Sequence, residues 1–370
     1  MPVVVVGAGP AGLAVSRELA VRGIEHVVLE AESIGSSWAR YYRSLVLHTG
    51  KHLSHLPGRR LPRDMPLFPP RDRFLSYLRE YASHFRLPVR EGVRVHAARR
   101  GPDGWDVETG AGRFTARALI AATGISSNPY RPDFAGEEEF LGQIVHSATY
   151  VDPEAFHGRR VLVVGVGNSG GEIAAELAAA GVETMVSARG GAHLMPLRIL
   201  GLPSQYWGAL VGALPAPARE RVARGMAALR RRMSGPPPLP TPDRPILARP
   251  PLIGDSLPAA LRSGRVRLRG AVERFLPRGV RFQDGVEEEI DSVILATGFR
   301  PALGFLEPAP RLDAAGSPRR AGVRSLDHAD LFFVGLGYGA TGVIPTIRRE
   351  ARAAAREVAA LLGAEGVAAE

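Results

Sequence analysis

Six glycines at matched spacing carry the most specific chemistry in this chain. Gly7, Gly9 and Gly12 stand in "GAGPAG", directly after the apolar run Val3-Val4-Val5-Val6. Gly165, Gly167 and Gly170 stand in "GVGNSG", directly after Val161-Leu162-Val163-Val164. In such a turn the first glycine permits the tight bend, the second lets backbone approach a pyrophosphate, and the third lets helix and strand pack closely. The residues that follow each turn have helical spacing, so free N–H groups at a helix N-terminus face the phosphates. Pro10 and Ala11 in the first turn, and Asn168 and Ser169 in the second, join the glycines as candidate contacts. A second strand then supplies the residue that discriminates between cofactors. Val27-Val28-Leu29 ends in Glu30, 23 residues after Gly7, where a carboxylate accepts hydrogen bonds from both ribose hydroxyls. The run Glu183-Thr184-Met185-Val186 leads to Ala188, at the same distance from Gly165, and then to Arg189. A carboxylate there would repel a 2′-phosphate, whereas a guanidinium pairs with it bidentately. The first turn therefore predicts a cofactor with free ribose hydroxyls, and the second predicts NADPH, with a solvated surface arginine as the alternative reading of Arg189.

These turns need sheets to hold them. Runs of β-branched residues without polar alternation predict strands buried on both faces of a parallel sheet. Two further stretches, Leu119-Ile120-Ala121-Ala122-Thr123-Gly124 and Val293-Ile294-Leu295-Ala296-Thr297-Gly298, each end such a strand in Ala-Thr-Gly. A glycine after the strand lets backbone pass close to a bound cofactor, which adds Thr123, Gly124, Thr297 and Gly298 to the candidates. The pattern predicts an α/β chain of two nested Rossmann-like dinucleotide-binding domains. Residues 1–150 and 291–370 form one, and residues 151–290 form the other, inserted into it. Pro215–Met233 has helical composition with many arginines, and the proline-rich Ser234–Pro251 reads as an extended connector. Residues 193–250 together form an excursion that shapes a substrate entrance. The order Phe332-Phe333-Val334-Gly335-Leu336-Gly337, followed by a helix over Pro345–Leu362, brings a second helix N-terminus toward a cofactor.

Composition narrows the function. Of 370 residues, 45% are hydrophobic and 23% charged, as in an ordinary soluble globular protein. No apolar run approaches the length of a membrane span, and only Met1 and Pro2 precede Val3, so no signal peptide and a cytoplasmic location are expected. The net charge is +10, but clusters such as Arg230-Arg231-Arg232 have no interleaved aromatics, so they read as solvated faces and not as a nucleic-acid surface. There is no cysteine, which removes disulfides and thiolate chemistry.

Between the two glycine turns lies Phe140-Leu141-Gly142-Gln143-Ile144-Val145-His146-Ser147-Ala148-Thr149-Tyr150. It matches the F-x-G-x-x-x-H-S-x-x-Y fingerprint of the class B flavin-containing monooxygenases. With "GVGNSGGEIA" (165–174), "SARGGAHLMPLRILG" (187–201) and "DSVILATGFR" (291–300), the chain resembles that family over nearly its full length, and within it the YUCCA type known from plants. The resemblance implies FAD in the larger domain and NADPH in the inserted one. NADPH would deliver hydride to the flavin N5. Reduced flavin would then take up O2 as a C4a-(hydro)peroxyflavin, one oxygen going to a small organic substrate and the other to water. An amine or sulfide would attack the hydroperoxide. A 2-oxo acid or ketone would instead be attacked by the peroxide anion, giving oxidative decarboxylation or Baeyer–Villiger insertion.

In animal-type members an asparagine lies near the flavin; here His48 replaces it. The arrangement Leu47-His48-Thr49-Gly50-Lys51, followed by Leu56-Pro57, is similar to the YUCCA type, whose members convert indole-3-pyruvate to indole-3-acetate. The phrase "GATGVIPTIRREA" (339–351) departs from that type's glycine- and serine-rich segment. His48 is the catalytic candidate, donating a hydrogen bond near the flavin or NADP ribose, with a packing histidine as the alternative. The spacing of His48, His52 and His55 raises a metal question, but without cysteine or an acidic cluster no metal is expected. Trp38 reads either as flavin-side packing or as a core tryptophan, and Lys51 either as a cofactor neighbour or as a solvated lysine. His146 reads as structural. The expected partners are a small-molecule substrate and O2, with no nucleic acid and no membrane, in a monomer or homodimer. The rivals are a disulfide reductase, which needs the cysteine pair this chain lacks, a non-oxygenating FAD/NADPH reductase, and a non-catalytic NADPH-binding regulator.

Overall fold

The run Val3–Val6 forms a strand whose successive side chains enter two different cores, which is why no polar residue alternates along it. Val3 and Val5 pack with Leu13, Val15, Phe74, Tyr77 and Ile347, while Val4 and Val6 pack with Trp105, Val107 and Phe333. In this computed structural model the described residues are 1–212, 214–215, 217–222, 224–225, 228, 235, 238–240, 242, 250–314, 316–339 and 341–363. They fall into two units.

The first unit comprises Met1–Arg40, Leu45–Asn128 and Phe299–Glu370. Its seven-stranded sheet runs in the order Arg320–Ala321, Arg324–Ser325, Leu331–Phe333, Ala118–Ala121, Val3–Val6, His26–Leu29, Val89–Arg90. The five strands from Leu331–Phe333 onward are parallel, and the first two turn back antiparallel at the edge. Helices Pro10–Ala20, Arg71–His84 and Val343–Leu362 supply one core. A four-stranded sheet (Leu306–Glu307, Val95–Gly101, Gly104–Thr109, Gly112–Ala116) contributes Ala98, Trp105, Val107 and Ala116 to the other. Fully burying each such aliphatic or aromatic side chain is worth about 1.5–3 kcal/mol.

The second unit comprises Tyr41–Ser44 and Pro129–Gly298. Its five-stranded sheet is parallel throughout, in the order Val266–Arg269, Glu183–Ser187, Arg160–Val164, Ser292–Leu295, Gln143–His146. Helix Asn168–Ala179 follows the strand Arg160–Val164. An antiparallel meander, Val272–Leu276, Gly279–Phe282 and Glu287–Glu289, packs Phe275, Val280 and Phe282 on Leu162, Met185, Val293 and Leu295.

The unit boundaries fall at 128/129 and 298/299, just after each Ala-Thr-Gly phrase, whereas the sequence reading divides the chain at 150/151 and 290/291. The difference has a hydrogen-bonding cause. Strand Ser292–Leu295 lies between Arg160–Val164 and Gln143–His146, so both the fingerprint strand and the strand of the second Ala-Thr-Gly belong to the second sheet. Spacing along the chain reveals the turns but not which sheet a flanking strand joins. The arginine cluster (230–232) lies outside the described residues, as do most of the connector (234–251) and part of the basic helix (215–233). Among the described residues, no helix is long and apolar enough to cross a membrane. The final helix begins at Val343, two residues before the position its periodicity indicates.

Candidate functional site

In the first turn, Gly7 has φ +102° and its amide donates to the Leu29 carbonyl at 2.8 Å. A Cβ there would lie 2.7 Å from the Ala122 carbonyl oxygen, and a Cβ on Gly12 would run into the Gly7 carbonyl oxygen. Only glycine satisfies both positions. Gly9 caps helix Pro10–Ala20 with extended backbone. No side chain caps that helix, and its first turn carries no acidic residue, so its N–H groups and dipole remain available to an anion. A Cβ on Gly9 or Gly124 would meet no atom within 4 Å. The Thr123 hydroxyl is buried without a hydrogen-bond partner. A buried hydroxyl left unmatched is costly, and a polar ligand group satisfies it. Glu30 is 7% exposed. Its Oε2 accepts from the Ala8 amide at 2.7 Å, and its Oε1 accepts from the Glu32 amide at 3.1 Å and the Ser36 hydroxyl at 3.3 Å. The carboxylate is thus held against the turn, with lone pairs left for a ribose.

The second turn repeats this construction. Gly165 has φ +113°, its amide donates to Ser187 at 3.0 Å, and its Cβ position abuts the Ala296 carbonyl oxygen. A Cβ on Gly170 would strike the Gly165 carbonyl oxygen. Gly167 caps helix Asn168–Ala179, again without a side-chain cap or an early acid, and Gly167 and Gly298 face open space. The register confirms the alignment of Glu30 with Ala188. Leu29 and Ser187 accept from the first glycine of their turns, and the next residues, Glu30 and Ala188, donate to Arg90 and Arg269 of the neighbouring strand. Ala188 is 8% exposed, Arg189 is exposed, and among the described residues Arg189 has no ion pair. Each turn therefore fits a dinucleotide, and the second presents a cation beyond its strand.

The Ala-Thr-Gly phrases lie over their turns: Ala122 donates to Val6 and Ala296 to Val164, each at 2.9 Å. The Thr297 hydroxyl donates to Tyr130 at 2.5 Å, a bond with no counterpart at Thr123. The fingerprint imidazole of His146 holds the second phrase. Its Nε2–H donates to the Gly298 carbonyl, and its Nδ1 accepts from the Ala148 amide, both at 3.1 Å. Burial, above all, holds this histidine below the usual range, in line with a neutral ring. Asn168 spends its amide on chain: Oδ1 accepts from Ile253 at 2.8 Å and Nδ2 donates to Pro251 at 3.2 Å. Ser169 stands half-buried at the start of the same helix, as Pro10 and Ala11 stand buried in the first.

The remaining candidates gather in the first unit. His48 is half-buried, between buried Leu47 and buried Thr49. The Thr49 hydroxyl oxygen lies 2.6 Å from where a Cβ of Gly342 would stand, so this loop abuts the uncapped start of helix Val343–Leu362. Lys51 donates to the carbonyls of Arg63 (2.9 Å) and Met65 (2.7 Å), which fastens the loop. Trp38 packs on Phe74 with ring centroids 4.7 Å apart, as a member of the helix-side core. His55 engages Leu56 and Arg348 through its two ring nitrogens.

Sequence reasoning missed Glu350. Buried in the last helix, it accepts from the Gly335 amide at 2.8 Å and pairs with Arg320 at 3.1 Å, and Arg320 also donates to Phe333 at 3.1 Å. This network sets the bend after strand Leu331–Phe333. The signal was present in the sequence: a carboxylate among Ile347, Ala351 and Ala354 on an apolar helix face must have a partner.

Comparison with known proteins adds the chemistry. Residues 4–194 match the family described as pyridine nucleotide-disulphide oxidoreductase. The chain is 36% identical over 313 residues to indole-3-pyruvate monooxygenase YUCCA1 of Oryza sativa subsp. japonica, covering 80% of this chain and 76% of that one. The fold superposes on a flavin-containing monooxygenase from Stenotrophomonas maltophilia with a TM-score of 0.78, at 28% identity, covering 97% of this chain and 98% of the other. Cyclohexanone monooxygenase from Rhodococcus sp. Phi1, solved bound to NADP+, shares the fold with a TM-score of 0.73 at 22% identity, over 97% of this chain and 84% of that one. With no cysteine, the chain performs no thiol–disulfide exchange of its own. It belongs to the pyridine nucleotide-disulphide oxidoreductase family, among the flavin-containing monooxygenases of the YUCCA type, and is a flavin-dependent monooxygenase that uses a pyridine nucleotide.

Proposed function

We propose that the first turn binds FAD, that the second binds NADPH, and that the enzyme oxygenates a small 2-oxo acid such as indole-3-pyruvate. The nucleotide assignment rests on one observation: Arg189, exposed and without an ion pair among the described residues, follows the position that Glu30 occupies in the first turn. The substrate class rests on the 36% identity to a rice enzyme named for indole-3-pyruvate. Bound FAD supplies the redox chemistry, accepting hydride from NADPH and, once reduced, activating O2 so that one atom enters the substrate and the other becomes water.

The chain's residues hold and orient. Glu30 accepts from ribose hydroxyls, the N-terminus of helix Pro10–Ala20 faces the pyrophosphate, and the Thr123 hydroxyl donates to the bound cofactor. At the second turn the N-terminus of helix Asn168–Ala179 takes the NADPH pyrophosphate and Arg189 takes its 2′-phosphate. His146 keeps the Gly298 bend in place. His48 donates a ring N–H toward the cofactor beside the start of the last helix. The partners are the substrate and O2, without nucleic acid or membrane, and the enzyme acts as a monomer or homodimer.

The test mixes the NADPH-reduced enzyme rapidly with O2 and indole-3-pyruvate, following flavin absorbance and product together. Indole-3-acetate formed in proportion to NADPH consumed is the expected result. Hydrogen peroxide in full yield with every 2-oxo acid, amine, sulfide and ketone tried would overturn oxygenation and leave an FAD/NADPH reductase.

A further inference from the structure

The last helix, Val343–Leu362, buries Ile344, Ile347, Ala351, Ala354, Ala355 and Val358. Its other side is basic. Arg348, Arg352 and Arg356 recur every four residues with Arg349 beside them, and together with Arg22 and His55 they line a cleft of about 700 Å³. Like charges at that spacing on a helix repel one another. Other arginines packed on this helix meet carboxylates, Arg320 at Glu350 and Arg324 at Glu357. Among the described residues, Arg348, Arg349, Arg352 and Arg356 have no ion pair. Glu18, the only carboxylate among the described residues lining the cleft, is already engaged by Arg17 at 2.7 Å and Arg22 at 3.2 Å.

Arg348 is half-buried, and its Nη1 donates to His55 Nε2, while His55 Nδ1–H donates to the Leu56 carbonyl at 3.0 Å. That pairing requires a neutral imidazole, so it brings Arg348 no negative charge. Burial, then the neighbouring Arg352, hold the Arg348 guanidinium below its usual range. The recess has the dimensions of a small-molecule site. Guanidinium forks match phosphate oxygens in pairs, and several around one recess suit several phosphoryl groups.

We propose that this cleft binds a small polyphosphate anion of the nucleoside di- or triphosphate class, at a site that shares no residue with either glycine turn. Glu18 and Arg22 stand at the far end of helix Pro10–Ala20, whose 11 residues span roughly 16 Å at about 1.5 Å per residue. The phosphate-facing end of that helix is therefore not the end that walls this cleft.

The test titrates inorganic tripolyphosphate calorimetrically, at fixed ionic strength, into FAD-loaded enzyme carrying Gly170→Val with Arg189→Ala, which closes the second turn to a pyrophosphate and removes the guanidinium assigned to the 2′-phosphate. One binding event is expected, weakened about tenfold or more by Arg352→Gln with Arg356→Gln. A control with the same charge loss elsewhere, Arg94→Gln with Arg113→Gln, keeps the original affinity. The cleft variant, rebuilt with Gly170 and Arg189 intact, retains FAD content and NADPH consumption, so failure here is distinguishable from failure of the nucleotide assignments. Absence of binding, equal affinity in the cleft variant, or equal weakening in the control overturns the proposal.

Discussion

The two glycine turns share a backbone and differ at their rims. In both, the first glycine bends with positive φ beneath an Ala-Thr-Gly carbonyl, the third leaves room for the first one's carbonyl, and an uncapped helix N-terminus faces open space. That shared part suits a pyrophosphate, which the two proposed cofactors have in common. The difference begins at the end of the second strand, where a buried carboxylate bonded to the turn in one unit becomes a buried alanine and an exposed arginine in the other. It continues at the Ala-Thr-Gly phrase. The Thr123 hydroxyl is left unmatched, while Thr297 and Gly298 are tied down by Tyr130 and His146. On the proposed assignment, one scaffold serves two nucleotides and identity is read at the ribose, not at the phosphates.

The comparison breaks hardest at the third glycine. Gly12→Val would force a side chain into the Gly7 carbonyl, and the protein should purify without flavin, as its absorbance spectrum would show. Gly170→Val should leave the flavin bound and abolish NADPH-driven reduction. If both variants lose the same activity, the division of labour is wrong. Glu30→Ala comes next. It removes a charged acceptor, and the dissociation constant for FAD, measured by flavin fluorescence, should rise about 10–100-fold. Arg189→Ala should raise the KM for NADPH about tenfold and barely move that for NADH. Equal changes for the two nucleotides would remove the phosphate role.

The smallest effect is with pH. His26 in the first unit and His146 in the second both sit below an unperturbed histidine's pKa of about 6.5, chiefly through burial. A depressed folded value favours the neutral ring, so this stability is present above about pH 6.5 and is lost as pH falls through the folded values. The Tm should drop with acidification over that window. His26→Asn and His146→Gln, which keep neutral polar atoms near the same places, should each flatten part of the drop, while unchanged curves would show that other groups titrate.

Much of the site was legible because its signals are local. A tight turn demands glycine, a close approach demands glycine again, and the rim residue follows at a distance set by one helix and one strand, so Gly7 to Glu30 and Gly165 to Arg189 could be read by counting. Lys51 and Asn168 show where counting stops. Both are polar residues near a turn, yet each fastens backbone that lies far along the chain, Arg63 and Met65 in one case and Pro251 and Ile253 in the other. That Glu350 needs a partner could be read from its apolar helix face, but not which partner, since Gly335 lies in the bend after another strand.

By itself the sequence determined the two glycine turns, the strand-helix order around them and the charge at each rim, because backbone stereochemistry and short-range spacing dictate these. Only the tertiary structure decided that Gln143–His146 and Ser292–Leu295 lie side by side in one sheet, that His146 reaches Gly298, and that four arginines of the last helix share a cleft with Arg22 and His55. Strand neighbours and side-chain partners distant in sequence are chosen by the packing of the whole unit, and no short stretch of chain contains that information.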